Sequence, residues 1–453
     1  MQPLPKEFEE QMKRLLGEAG FFAYLDALNQ PYTRALRVNL LLRPDGTPSC
    51  PIEGLGAPVP WAKGAYFVEG DARPGLSPLH EGGLFYMQEP SALTAVTALD
   101  PQPGERVLDL CAAPGGKSTQ IAALMAGRGL LCCNEPIPSR AQILSRNIER
   151  MGVRNAVVLS AMPDALAPRF PAFFDRILVD APCSGEGMFR RQPEARNEWD
   201  ADAPRRCADR QMEILAQAAK MLRPGGTMVY STCTFNDTEN EGVLRRFLAL
   251  HPEFSLVPFA LPGLPEAKDG YLHLYPHEMR GEGHFVSRLK KADGADEADA
   301  PVQAAPQRKA PARAAAKGKA PAPIVLPDVF SDAFAPERLY TAGDALWMLP
   351  EGISIERLSG LRVLRTGLLL AHAEGKRSEP DHALAMALRP EEAARTASLT
   401  QTQALAYQAG ETLSLGDLPG GYTLLCCEGV SLGWGKQAGG LMKNHYPKGL
   451  RRR

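Results

Sequence analysis

The sequence predicts an α/β protein: a mostly parallel sheet with helices on both faces, a small α+β unit before it and a β-rich module after it. Three observations carry this prediction. Between residues 76 and 290, runs such as "RVLDL", "GLLCC", "AVVLS", "RILVD" and "TMVYS" are apolar almost throughout, and amphipathic stretches separate them. Strands buried on both faces read this way, because helices cover each side of a parallel sheet. Residues 291–325 are Ala, Pro and charge with almost nothing to bury, which separates this core from the C-terminal third of the chain. From residue 326 globular composition resumes and ends in the Gly-rich, aromatic and basic "GVSLGWGKQAGGLMKNHYPKGLRRR".

Each element has a local reason. Residues 1–30 place apolar and charged side chains at helical spacing and predict one or two helices. "TRALRVNLLL" (33–42) predicts a strand carrying Arg34 and Arg37, and "GAYFVEG" a shorter one, so residues 1–75 form the α+β unit. In the core, "RVLDLCAAPGGKSTQIAALM" is strand, tight loop and helix. "GLLCCNEP" is a second strand ending in an acid. "SRAQILSRNIERMG" is a helix with a Ser cap and a C-terminal Gly. "AVVLS" and "FDRILVDAPC" are the third and fourth strands, "RQMEILAQAAKMLRPGG" a helix stopped by Pro-Gly-Gly, and "TMVYSTCT" the fifth strand. A helix over 238–250 and a last strand, "GHFVSRL" (283–289), complete a core spanning 76–290. Residues 291–325 predict a disordered linker, 326–390 an intermediate α/β segment, and 391–453 the β-rich module.

Length and composition bound the function. At 453 residues the chain exceeds one core of ordinary size. Its 44% hydrophobic and 23% charged residues describe a soluble chain, and no run of about eighteen apolar residues offers a membrane span. The charged, amphipathic N-terminus lacks the features of a signal peptide, so the cytoplasm is expected, with no membrane partner. The nine cysteines are scattered, form no C-x-x-C pair and have one histidine, His80, among those between residues 50 and 233; neither a zinc site nor a disulfide framework is expected. The net charge of −1 leaves any nucleic-acid binding to local patches.

Four signals fall at the carboxyl ends of predicted strands, where open parallel sheets bind ligands. "LDLCAAPGGK" (108–117) is a small-residue loop running into a helix N-terminus; it lets backbone approach a ligand closely, yet fits neither a dinucleotide fingerprint nor a Walker loop. Glu135 ends the next strand and can accept both hydroxyls of a ribose. Together they suggest an adenosyl cofactor held without a pyrophosphate grip. "DAPCSGEG" puts Asp180 at the end of the fourth strand, where Pro182 bends the chain and presents Cys183; "STCTFNDTENE" presents Cys233 in the same way after the fifth. A thiolate that adds to carbon 6 of a pyrimidine makes carbon 5 able to accept a methyl group. A nearby acid stabilises the developing charge and a base then removes the carbon 5 proton. One cysteine, Asp180 and the other cysteine match that set.

The motifs "DLCAAPGGK", "DAPCSGEG" and "YSTCT" resemble those of the Sun-type RNA cytosine-5 methyltransferases, over about residues 1–290, and the tail "GWGK…KNHYPKGLR" resembles the F-type subfamily, which methylates bacterial small-subunit ribosomal RNA. The resemblance implies a Rossmann-like methyltransferase core, with Cys233 attacking the cytosine, Cys183 assisting release and Asp180 facing the reacting centre. It implies that Cys111, Ala112, Ala113, Pro114, Gly115, Gly116 and Lys117 line the S-adenosylmethionine pocket, with Asp180 beside it, and that Glu135 holds the ribose. It implies ribosomal RNA as the partner of a monomer, an RNA-binding N-terminal unit and a PUA-like C-terminal module. One position departs from the family: Met162 stands where an acid near the adenine is usual, with Asp164 two residues on. Either Asp164 substitutes or the contact is lost, at about 0.5–1.5 kcal/mol.

On the substrate side, Arg34, Arg37, Arg190, Arg191 and the tail, with Trp434, His445 and Tyr446 interleaved among its basic residues, are expected RNA contacts. The target base must be unpaired or flipped out to reach a thiol. Rival readings remain: a DNA cytosine-5 methyltransferase using the Pro-Cys thiol, in which Cys233 has no task; a transfer RNA enzyme; and a non-catalytic RNA-binding assembly factor.

Overall fold

The computed structural model describes residues 3–294, 329, 336–374 and 377–452. The chain opens with a helix, Lys6–Asn29, interrupted at Gly17, whose φ of 70° is non-helical. A four-stranded sheet comes next: β1 (Arg34–Val38), β2 (Leu55–Pro58), β3 (Ala65–Val68) and β4 (Phe85–Gln88), in the order β2-β3-β1-β4. The boundary expected at residue 75 therefore cuts this sheet, since β4 pairs antiparallel with β1.

The central sheet holds β5 (Arg106–Asp109), β6 (Leu130–Asn134), β7 (Ala156–Leu159), β8 (Phe174–Asp180) and β9 (Leu222–Thr232). These five are parallel and ordered β7-β6-β5-β8-β9. β10 (Phe254–Leu256), β11 (Tyr271–Leu274) and β12 (His284–Lys291) extend it antiparallel beyond β9. Successive side chains alternate between two hydrophobic clusters: Val107, Leu178 and Val229 enter one, Leu108, Ile177 and Tyr230 the other. That period of two is why the strands read as apolar throughout. The chain runs outward from β5 to β7 and returns beside β5 as β8, which creates a switch point between the loops after β5 and β8.

The helices of the core are Leu93–Leu99, Gly116–Leu124, Pro138–Arg150, Ala203–Met221 and Glu241–Leu250. Pro138 occupies the first turn of its helix and no side chain caps it, so the expected Ser cap is absent; Ser139 lies inside. Beyond the core, β13 (Leu339–Ala342), β14 (Ala345–Met348), β16 (Leu368–Glu374) and β17 (Arg377–Pro380) form an antiparallel sheet, while β15 (Val363–Arg365) joins the central sheet beside β7. A last sheet contains β18 (Thr396–Ser398), β19 (Gly421–Cys427), β20 (Val430–Ala438) and β21 (Leu441–Asn444). The linker expected over 291–325 lies outside the described residues from 295 onward. Among the described residues no helix is long and apolar enough to cross a membrane.

Two packings position the functional loops. Phe8 and Tyr24 of the first helix pack with Phe189, Trp199 and Phe235, which flank the loops after β8 and β9. Leu36 and Phe85 of the first sheet share a cluster with Tyr407, Leu425 and Leu432 of the last module. Arg37, expected to meet RNA, is instead 1% exposed; its guanidinium donates to Thr119 Oγ1 at 2.8 Å and Gly116 O at 3.3 Å.

Candidate active site

The loop after β5 approaches the N-terminal sheet closely. Gly115 takes a φ of 113°, which favours glycine, and opens the helix Gly116–Leu124. A Cβ on Gly116 would lie 3.2 Å from Tyr86 and 3.3 Å from Gln88. Between this loop, β4 and the ends of β8 and β9 lies a cleft of about 370 Å³ lined by Cys111, Ala112, Ala113, Pro114, Gly116, Lys117, Asp180, Cys233 and His284. Gly115 lies outside that lining, its Cα facing Leu144 and Asn147.

Six of the expected residues thus surround one space, with Asp180 and Cys233. The Sγ atoms of Cys183 and Cys233 are 3.3 Å apart, with Cys183 behind Cys233 and outside the lining. Its hydrogen bond with Cys233, together with burial, pushes the Cys183 thiol well up, so Cys183 keeps its proton.

Two buried carboxylates that sequence reasoning left unassigned hold the thiol loops together. Glu239 is fully buried; it accepts from Ser184 N at 3.0 Å, Asn236 Nδ2 at 2.8 Å and Gln211 Nε2 at 2.8 Å. Burial raises its pKa, against those hydrogen bonds. Glu186, equally buried, accepts from Phe235 N at 2.8 Å, Asn236 N at 3.1 Å and, from the first helix, Gln11 Nε2 at 2.9 Å. Gly187 N closes the arrangement on Cys233 O at 2.8 Å. Both acids stood inside the recognised motifs, but nothing in a linear run of polar residues tells a brace from a solvated turn.

Asp180 meets three groups. Lys117 Nζ donates to Oδ2 at 2.8 Å, Ser231 Oγ donates to Oδ1 at 2.9 Å, and His284 Nε2 lies 3.5 Å from Oδ1. Burial pushes the carboxyl up, but Lys117 and His284 outweigh it and hold it well below the usual carboxylate range. Asp180 also raises Lys117, against the burial that lowers it. Asp109, at the end of β5, is fully buried and accepts from Ser118 Oγ at 2.6 Å; its Oδ1 has no partner among the described residues, and burial pushes it up to about 7.

Glu135 comes directly after β6, buried; its Oε1 accepts from Ile137 N at 3.0 Å, and Arg140 Nη1 lies 3.4 Å from Oε2. It stands outside the lining of the cleft. Asp164 is exposed on a short helical turn, and Met162 is 61% exposed.

Several expected RNA contacts are consumed by the fold. Arg190 pairs with Glu282 at 2.6 Å. Trp434 is buried and donates from Nε1 to Asp381 O at 2.8 Å, and Tyr446 is buried against Tyr407. These aromatics fill the core of the last module and cannot stack on bases. Arg191 remains exposed.

Comparison with known proteins identifies the family. Four family models match: the N-terminal domain of 16S rRNA methyltransferase RsmF over 4–90, 16S rRNA methyltransferase RsmB/F over 96–290, the RsmF rRNA methyltransferase first C-terminal domain over 328–388, and the methyltransferase RsmF PUA domain over 394–452. Ribosomal RNA small subunit methyltransferase F of Erwinia tasmaniensis is 34% identical over 470 residues, spanning 98% of this chain and 96% of the relative. The protein of the same name from Enterobacter sp. is 35% identical, with 98% and 95% covered. The chain belongs to the 16S rRNA methyltransferase RsmB/F family.

Among solved structures, a methyltransferase homologue from Pyrococcus horikoshii has a TM-score of 0.54 at 30% identity, covering 63% of this chain and 95% of its own. NSun6 from the same organism, solved with SFG, has a TM-score of 0.55 at 23% identity, covering 64% and 99%, and supports the fold. Members of the RsmB/F family are rRNA methyltransferases that use S-adenosylmethionine. The residues fit such a cofactor. The loop after β5 lines the cleft, the first N–H groups of Gly116–Leu124 have no intrahelical acceptor, and Asp109 Oδ1 is an orphaned buried acceptor beside them.

Proposed function

We propose that the chain methylates carbon 5 of a cytosine in small-subunit ribosomal RNA, with Cys233 as the covalent nucleophile. The supporting observation is the pair of sulfurs 3.3 Å apart, of which Cys233 faces the cleft and Cys183 keeps its proton behind it. S-adenosylmethionine, when bound, supplies an electrophilic methyl group. Cys111, Ala112, Ala113, Pro114, Gly116 and Lys117 would hold it, and Glu135 would accept from the ribose hydroxyls.

The chain's own residues do the rest. The sulfur of Cys233 bonds to carbon 6 of the cytosine as its S–H bond breaks, the thiol proton passes to ring nitrogen 3, and carbon 5 gains nucleophilic character. Asp180, kept ionised by Lys117 and His284, stabilises a protonated ring nitrogen 3 and so offsets charge built up as the sulfur adds. Cys183, having given its own proton to water, then takes the carbon 5 proton; those electrons restore the double bond between carbons 5 and 6, the bond from carbon 6 to Cys233 breaks, and the nitrogen 3 proton returns to that sulfur.

RNA carrying 5-fluorocytidine tests the roles, because the carbon 5 fluorine blocks release. Cys233→Ala abolishes the covalent adduct, and Cys183→Ala retains it. The reverse pattern would give the nucleophile to the Pro-Cys thiol, as in the DNA reading. The same proposal makes the protein a cytoplasmic monomer, with the N-terminal unit through β4 and residues 391–453 as RNA-binding units.

A further inference from the structure

The cleft does not end at Asp180. A second cavity of about 340 Å³ adjoins it, and the two share Met87, Gln88, Glu89 and Arg191. Its walls come from the N-terminal sheet and the segments beside it, and four side chains set its chemistry. Tyr32 is 46% exposed and Leu76 64% exposed, two large apolar surfaces open to solvent at one groove. Arg73 and Arg191 are exposed at its rim with no acceptor among the described residues. The one carboxylate of the lining, Glu89, is committed elsewhere: it accepts from Ser91 N at 2.9 Å, Ala92 N at 2.8 Å and Glu282 N at 2.8 Å. The groove therefore presents two guanidinium groups free of hydrogen-bond acceptors and two apolar faces, continuous with the space that receives the reacting base.

We propose that this groove binds the nucleotide next to the target cytosine, as single-stranded RNA, with its base against Tyr32 and Leu76 and its phosphates at Arg73 and Arg191. Cationic groups interleaved with an exposed aromatic are how proteins hold unpaired strands, because stacking tolerates any base while the charges track the backbone. The inference rests on the RNA methyltransferase reading. It adds that the N-terminal sheet, rather than the buried aromatics of the last module, grips the strand beside the target. Arg191 belongs to both cavities, which puts one phosphate contact at the junction between them.

Binding of a fluorescent single-stranded oligoribonucleotide, measured across salt concentration in the full chain, tests the groove, alongside transfer of labelled methyl to small-subunit ribosomal RNA. Arg73→Ala and Arg191→Ala should each lower the slope of log affinity against log salt by about 0.7, the value for one lost phosphate contact on a single strand. Tyr32→Ala should weaken binding roughly tenfold with the slope unchanged. Affinity for S-adenosylmethionine should stay at the wild-type value in Arg73→Ala and Tyr32→Ala, whose side chains do not line the cleft. Wild-type slopes and affinities in the variants, with wild-type methyl transfer intact, would overturn the groove alone. Equal binding of a duplex of the same sequence would overturn the single-strand assignment. A wild-type protein that methylates no ribosomal RNA would sink the underlying reading and this inference with it.

Discussion

Glu239→Gln probes the brace beneath the two thiols. The carboxylate accepts on both oxygens: Asn236 Nδ2 on Oε1, Gln211 Nε2 on Oε2, and Ser184 N across both at 3.3 and 3.0 Å. A glutamine of the same shape turns one oxygen into an NH2 group, which must face Asn236 or Gln211 donor to donor. Gln211 cannot turn over to relieve this. Its Nε2 also donates to Pro182 O at 3.0 Å, so a flip would set Oε1 against that carbonyl. One or two buried donors are left without acceptors, at about 1–3 kcal/mol each. A net loss of about 2 kcal/mol lowers the melting temperature of a domain this size by roughly 4–8 °C. Ser184 is bonded directly to Cys183, so a loosened brace also displaces that thiol, and a shift of about 1 Å costs on the order of a hundredfold in rate. Thermal melting and single-turnover methyl transfer from labelled cofactor measure the two effects. Cofactor affinity should stay put, since Glu239 does not line the cleft. A variant that melts and turns over like wild type would show that Glu239 is not the brace.

Two other outcomes rest on the same geometry. The folded pKa of Asp109 is raised to about 7 from 3.8, so its stabilising contribution is complete below the unfolded value and disappears as pH rises through 7. Asp109→Asn should therefore flatten the pH dependence of urea stability, removing about 2.5 kcal/mol of change between about pH 5 and pH 8; parallel profiles for variant and wild type would refute this. In Gly187→Ala the new Cβ would lie 3.0 Å from Cys233 O and 3.2 Å from Gly283 O, both backbone atoms. Such overpacking costs about 1–3 kcal/mol and pushes on the loop that carries Cys233. Single-turnover transfer should fall roughly tenfold or more, and a wild-type rate would mean the loop yields freely.

The legible and illegible parts of the chain divide along a physical line. The strands β5 to β9 were legible because a sheet covered on both faces needs apolar residues at every position, so the pattern is local. The two thiols were legible for a similar reason: a proline or a polar turn just past an apolar run marks a strand end, and strand ends of a parallel sheet converge on one rim. β4 was not legible, because "FYMQ" is four residues with no alternation to distinguish them from a turn, and only its pairing with β1 makes it a strand. Arg37, Trp434 and Tyr446 failed in the opposite sense. A guanidinium or an indole suits an RNA surface and a hydrogen-bonded interior equally well, and the choice depends on which partner the fold brings: Thr119 for Arg37, Asp381 O for Trp434. The same ambiguity concealed Glu186 and Glu239. Their neighbours in sequence are polar, while the atoms that need them, Phe235 N, Gln211 Nε2 and Gln11 Nε2, lie up to 175 positions away. The motifs make the two thiols legible. The groups that hold them 3.3 Å apart emerge only once the first helix and the helix Ala203–Met221 have closed over the two loops.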